Sequence, residues 1–338
     1  APGLAPVDSN SRIAHAASAR IQSGALDATG SVEALAFELG VGSRQLRRIV
    51  KSEFGVTPTE LAQTKRLLLA KQLITETDLT LIDVAFASGF GSVRRFNVAY
   101  KSCYQLTPSA MRRSSSRTSE SGTIQLSIPY RPPYAWGELL AFLQPRLTVG
   151  VEAIVGDSYV RSIQIEGCRG WFKVSNQMEA NKLVLVVSVD LLPVLSQLLA
   201  HIRCLFDVNA QPAVIAEQLE SDRLLGHCVK RCPGLRIPGA VDGFELIVRA
   251  ILGQQISVKA ATTLAARVAE HFGESFTTPC AEVSRLSPTP DRIAEAAVSD
   301  FVNLGVLKSR AESIQSIAHA YRDGTLPITT SSPTQVID

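Results

Sequence analysis

In the first hundred residues apolar side chains recur three and four positions apart, the spacing of one buried helix face. Leu46, Ile49, Val50 and Phe54 share such a face, and Phe96, Ala99, Tyr100 and Cys103 repeat it further on. Between them TPTELAQTKRLLLAKQLITET, residues 57–77, predicts one long helix. After residue 122 the period changes. Runs at 124–130, 149–155, 158–166, 169–175 and 182–189 are alternating or β-branched, which is strand composition. From about residue 239 the helical spacing returns. Phe244, Ile247, Val248, Ile251 and Leu252 mark a buried face, Gly253 interrupts it, and Ser257 stands where it would cap a second helix running to Phe272. The order is α, then α+β, then α.

The helical front half contains a repeat. LAFELGVGS at 35–43 matches VAFASGFGS at 84–92, and Thr57-Pro58 matches Thr107-Pro108. A unit used twice at this spacing is a supersecondary motif. In each copy a short helix (32–39, then 81–88) runs into a glycine, Gly40 or Gly89, which can take the left-handed conformation of a tight turn. Ser43 and Ser92 follow as candidate N-caps of the next helix. This is a helix-turn-helix, twice. The polar positions of each second helix become candidate DNA contacts: Ser43, Arg44, Gln45, Arg47, Arg48 and Lys51, then Ser92, Val93, Arg94, Asn97 and Lys101. Arginine can bond guanine edges bidentately and asparagine adenine edges, while lysine and helix N-termini hold phosphate.

Charge sharpens this picture. Residues 1–113 carry a net +5 and residues 114–338 a net −2, so the overall +3 hides a basic front half suited to a polyanion. No apolar run is long enough to cross a bilayer and no secretory signal pattern opens the chain; a cytoplasmic protein without a membrane partner is expected. The six cysteines are scattered, and His227, Cys228 and Cys232 lack a fourth ligand for structural zinc. No metal site and no cofactor are expected here.

Three further segments carry a resemblance. IPYRPPYAWGELLAFLQPR at 128–146, LRIPGAVDGFELIVRAILGQQISVKAATTLAARVAEHFG at 235–273 and LGVLKSRAESIQSIAHAYRDGTLP at 304–327 resemble the 3-methyladenine DNA glycosylase II (AlkA) family of the helix-hairpin-helix superfamily. Residues 11–113 resemble the AraC-family DNA-binding domain, in which residues 57–77 would be the helix joining the two motifs. Together they resemble the fused regulator–glycosylase proteins of the bacterial alkylation response. The resemblance implies a multidomain fold, mainly α with one α+β domain. A linker at 1–10 leads into a double helix-turn-helix at 11–113. After a flexible linker at 114–122 come an α+β domain at 123–236 and a partial helix-hairpin-helix glycosylase domain at 237–338.

The same resemblance assigns roles. Gln254 and Gln255, by themselves an ordinary polar loop tip, would form the plug that fills the duplex when a base is flipped out. Phe142 would stand at the rim of the base pocket, where an electron-rich ring attracts a positively charged methylated purine. Tyr134 and Trp136 would be packing. Arg146, one turn beyond Phe142, matches a family arginine. The second recognition helix has Gln105 where AraC-type domains carry glycine, so its end is expected to be reshaped. The superfamily's glycine hairpin and catalytic Asp would lie beyond Asp338, and zinc would belong only to a domain upstream of Ala1. This chain by itself is therefore expected to be inactive. The expected function is DNA-binding activation of alkylation-response genes, in the bacterial nucleoid, joined to excision of alkylated bases. Double-stranded DNA, alkylated DNA included, is the partner, with RNA polymerase beside the front domain. The alternative is a regulator whose back half is a non-catalytic sensing or dimerising domain.

Overall fold

The computed structural model describes residues 5–27, 30–112 and 122–326. They divide between two compact units. The first takes its described residues from the chain up to Leu126 and from Val189–His201, the second from Ser127–Ser188 and from Ile202 onward.

Seven helices of the first unit precede the sheet: α1 (Ala5–Gln22), α2 (Val32–Glu38), α3 (Ser43–Phe54), α4 (Pro58–Glu76), α5 (Leu81–Ala87), α6 (Val93–Tyr104) and α7 (Pro108–Arg112). Residues 5–10, expected as linker, belong to α1. That helix buries Ala14, Ala17 and Ile21, and tertiary packing of one apolar face outweighs weak local propensity. Ala17 and Ile21 join Leu35, Ala36, Leu46 and Val50 in one core cluster. Each buried Leu, Ile or Val contributes about 1.5–3 kcal/mol, which fixes α3 against α1 and α2. The long helix α4 opens on a reciprocal cap: Thr57 Oγ1 accepts from the Glu60 amide and the Glu60 carboxylate accepts from the Thr57 amide. The linker expected at 114–122 lies outside the described residues except for Gly122.

Five strands follow the expected runs closely: β1 (Thr123–Pro129), β2 (Glu152–Val155), β3 (Ser158–Ile165), β4 (Cys168–Gln177) and β5 (Lys182–Ser188). They form one sheet in the order β1-β5-β4-β3-β2, with β2/β3, β3/β4 and β4/β5 antiparallel. Arg161 stands opposite Glu152 on β2 and Phe172 on β4. The helix α8 (Trp136–Leu143) lies between β1 and β2 in sequence. Tyr134 and Trp136 are buried as packing residues: the Tyr134 hydroxyl donates to the Phe206 carbonyl, and the Trp136 indole donates to the Asp157 carbonyl at 2.9 Å.

Beyond the sheet come α9 (Leu195–Leu205), α10 (Pro212–Leu219), α11 (Leu225–Arg231), α12 (Gly243–Leu252), α13 (Val258–Phe272), α14 (Pro290–Ala294), α15 (Val298–Asn303) and α16 (Lys308–Arg322). Asp242 caps α12 and Ser257 caps α13 through their side-chain oxygens. Phe244, Val248, Ile251 and Leu252 of α12 enter a core with Val268, Phe272, Phe301 and Ile314. The expected boundary at 236/237 falls inside the second unit, and buried ion pairs cross it.

Candidate nucleic-acid interface and base pocket

The two helix-turn-helix copies place their second helices as the repeat implies. Gly40 and Gly89 are left-handed at φ 67° and 88°. On α3, Arg44, Gln45, Arg47, Arg48 and Lys51 are exposed while Leu46, Ile49 and Val50 are buried. On α6, Arg94, Asn97 and Lys101 are exposed, Val93 is half-buried, and Phe96 and Tyr100 are buried. The cationic side chains thus stand on the solvent side of both helices, free to meet phosphate or base edges. Arg47 is the exception, held by Glu33 at 2.8 Å. Arg95, not singled out by sequence, is also exposed; with Ser92, Arg94 and Gln63 it lines an open groove beside α6.

Three local expectations change. Ser43 is the first residue of α3 and not its cap: Gly42 takes the extended cap position without a side-chain bond, whereas Ser92 does cap α6. The two copies differ by one residue at this point. Cys103 is exposed and Tyr104 takes the inner position. The Tyr104 ring lies 4.6 Å from that of Tyr100 and its hydroxyl donates to the Leu67 carbonyl at 3.2 Å. The inward face therefore runs 96, 100, 104, a four-residue step. Gln105 does not reshape the helix end. It adopts the left-handed cap at φ 55°, as Gly55 does at φ 76°, and its side-chain amide donates to the Ser102 carbonyl at 2.9 Å.

In the second unit a cavity of about 230 Å³ opens beside α8 and α12. Phe142, 46% exposed, and Arg146 form one wall, Pro238 to Asp242 another, and Glu152, Arg161, Glu245 and Arg249 the floor. The floor is a closed network. Glu152 accepts from the Tyr159 hydroxyl, from Arg161 at 3.1 Å and from Arg249 at 3.1 Å. Glu245 accepts from Arg161 and from the Ser287 hydroxyl at 2.6 Å. Burial would raise the Glu245 carboxyl, but the charges of Arg161 and Arg249 and the Ser287 bond hold it below its ordinary range. Burial first, then the Glu152 charge, pushes Tyr159 up, so it stays a neutral donor. Sequence distance concealed this network, since its charged members lie on β2, β3 and α12.

The helix α12 links the pocket to the loop. Asp242, Glu245, Leu246 and Arg249 line the cavity, and one turn later the helix stops at Gly253. Gln254 and Gln255 are exposed at the tip, with Gln255 left-handed at φ 56°. Arg310 of α16 braces this turn by donating to the carbonyls of Gln254 and Leu252. Among the described residues no group of three His, Cys, Asp or Glu side chains could hold a metal ion, and no helix is long and apolar enough to cross a membrane.

Family profiles match the chain in three consecutive stretches: a helix-turn-helix domain at 35–114, an AlkA N-terminal domain at 125–242 and an HhH-GPD superfamily base excision DNA repair protein at 248–335. The chain is 36% identical over 203 residues to DNA-3-methyladenine glycosylase 2 of Escherichia coli, covering 60% of this chain and 69% of that one. The chain belongs to the AlkA family of DNA glycosylases. An AraC-type helix-turn-helix module precedes its AlkA part, an arrangement also found in a Mycobacterium tuberculosis relative described as a probable bifunctional transcriptional activator/DNA repair enzyme AlkA. That relative is 33% identical over 311 residues, which are 90% of this chain but only 62% of the relative's length. A 3-methyladenine DNA-glycosylase structure from Archaeoglobus fulgidus shares the AlkA fold, with a TM-score of 0.50 at 20% identity over 57% of this chain and 65% of that one.

Proposed function

We propose that this AlkA-family chain binds duplex DNA through α3 and α6 and receives an alkylated base, flipped from the stack, in the pocket beside α12. The observation that carries the reading is the layout of α12: one helix lines the Phe142 pocket and ends at the exposed Gln254–Gln255 tip. Extruding a base requires something to fill the gap it leaves. A glutamine can do so while bonding the orphaned partner base. Phe142 offers a partly open ring to a cationic purine. Activation of genes would in addition bring RNA polymerase to the DNA held by α3 and α6.

Hydrolysis of the N-glycosidic bond needs a carboxylate free to face the charge that develops on the sugar. The pocket's own carboxylates are committed elsewhere: Glu152 and Glu245 to Arg161 and Arg249, and Asp242 to the α12 cap. This supports a reading in which the catalytic carboxylate is not one of the described pocket residues, and in which these residues bind and extrude without cutting. The test is a duplex carrying 7-methylguanine beside 2-aminopurine. Adding the 338-residue chain should raise 2-aminopurine fluorescence while the methylated base stays attached, and Gln255→Ala should cut the rise several-fold. No rise with the unaltered chain overturns base extrusion; release of the base overturns the assignment of the carboxylates.

A further inference from the structure

The two recognition helices share one frame. Gly42 and Ser92 take their N-cap positions, and Gly55 and Gln105 their left-handed C-caps. Buried Leu46 and Val50 of α3 stand where α6 has buried Phe96 and Tyr100. In this frame Arg44 matches Arg94 and Lys51 matches Lys101, so both helices carry cations on the outer face. The position between those cations differs: it is Arg48 on α3 and Val98 on α6, and both are exposed. Val98 lies about 160° around the helix from Phe96 and from Tyr100, so it points away from the core. It is 66% exposed. Arg94 one turn before it and Lys101 one turn after it share its face, and with Arg94, Arg95 and Ser102 it lines the open groove beside α6. A β-branched side chain lowers helix propensity. Valine at this place therefore serves α6 neither through propensity nor through burial.

We propose that Val98 is a specificity-determining residue that covers the 5-methyl group of a thymine in the major groove, at the place where α3 presents a guanidinium. This rests on reading α3 and α6 as the duplex-binding helices. Cations on both sides of Val98 bring a polyanion to it. Among the groups that line the major groove of a duplex, the thymine methyl is the apolar one. Arg48, at the matching place on α3, can bond a guanine edge or a phosphate instead. The repeat in the protein therefore does not call for a repeated DNA sequence. The half-site under α3 is met by cations alone at this position, and the half-site under α6 requires a thymine.

The probe is a duplex selected from a random-sequence library by the full 338-residue chain. Each of its thymines is replaced in turn by deoxyuridine, which removes only the methyl group, and affinities are read by gel shift. One replacement should weaken binding about fourfold, the effect of exposing one buried methyl group. Val98→Ala should shrink that penalty to less than about twofold, because the methyl and the side chain that covers it are then no longer coupled. If no replacement costs the unaltered chain about twofold or more, or if the sensitive replacement still costs Val98→Ala that much, the assignment of Val98 is overturned. If the Arg48→Ala/Arg94→Ala double variant binds the selected duplex as tightly as the unaltered chain, α3 and α6 are not the interface and this inference falls with that reading. Position 98 is exposed and alanine is the better helix former, so the melting temperature of Val98→Ala should not fall, which shows that a lost fold is not being measured.

Discussion

Gln105 and Gly55 close equivalent helices with the same left-handed residue, yet only glycine reaches that conformation without a Cβ penalty. The side-chain bond from Gln105 to the Ser102 carbonyl is exposed and recovers only part of that strain. Strain of about 1–2 kcal/mol exceeds both that bond and the extra chain entropy of glycine, so Gln105→Gly should stabilise the front unit by about 0.5 kcal/mol. The mirror change, Gly55→Ala, should cost about 1 kcal/mol. Urea unfolding followed by circular dichroism measures both; a destabilising Gln105→Gly would mean that the amide bond outweighs the strain. The left-handed need at 105 was legible through the resemblance, because AraC-type domains carry glycine there. The inward tyrosine at 104 was not, because three- and four-residue steps fit a helix equally well until a neighbouring carbonyl, here that of Leu67, decides between them. The cap of α3 was missed for a related reason: serine is a strong N-cap, but an extended Gly42 serves at little cost.

On α12 the core face and the stopping glycine were legible as helix signals, whereas the Asp242 cap was not singled out. What the helix does with Glu245 and Arg249 was not, since a one-dimensional pattern treats charged positions as solvent-facing and cannot show that β2 and β3 bring Glu152 and Arg161 against them. Glu245 is held ionised by the fold, with its carboxyl below the ordinary range. A depressed carboxyl contributes stability that is present above its unfolded value, about 4.5, and lost as pH falls through the folded value. Glu245→Gln leaves Arg161 with one carboxylate in place of two, and should destabilise the second unit by about 3 kcal/mol at neutral pH. The gap to the unaltered chain should narrow steadily below about pH 4.5, because protonation of Glu245 does to the unaltered chain what the substitution has already done. Denaturant midpoints at neutral and acid pH read this directly. A gap that stays constant across the range would show that Glu245 acts through packing and not through its charge.

For the whole chain, the division of charge was legible from residue counts, and it separates two ways of meeting DNA. The basic front half exposes Arg44, Arg48, Lys51, Arg94, Asn97 and Lys101 on α3 and α6, while the back half is slightly acidic. Affinity for undamaged duplex should therefore come from the front, and it should fall steeply with salt, because each phosphate neutralised releases counterions. Arg47 should add little, since reaching a phosphate would require it to leave Glu33. The double variant Arg48→Ala/Arg94→Ala removes one free cation from each recognition helix. It should weaken duplex binding by roughly tenfold or more, and where the lost contacts are to phosphate it should lower the slope of log affinity against log salt by about 2. A loss of affinity without a change of slope would place both arginines on base edges, and relaxed sequence preference would accompany it. Gel shifts across a salt series distinguish these outcomes, and unchanged affinity at every salt concentration would remove α3 and α6 from the interface. Because 7-methylguanosine has no duplex for α3 and α6 to hold, its binding to the Phe142 pocket should be the same in this double variant. The two halves thereby become separable in one chain: salt governs where it docks, and the Phe142 face governs which base it keeps.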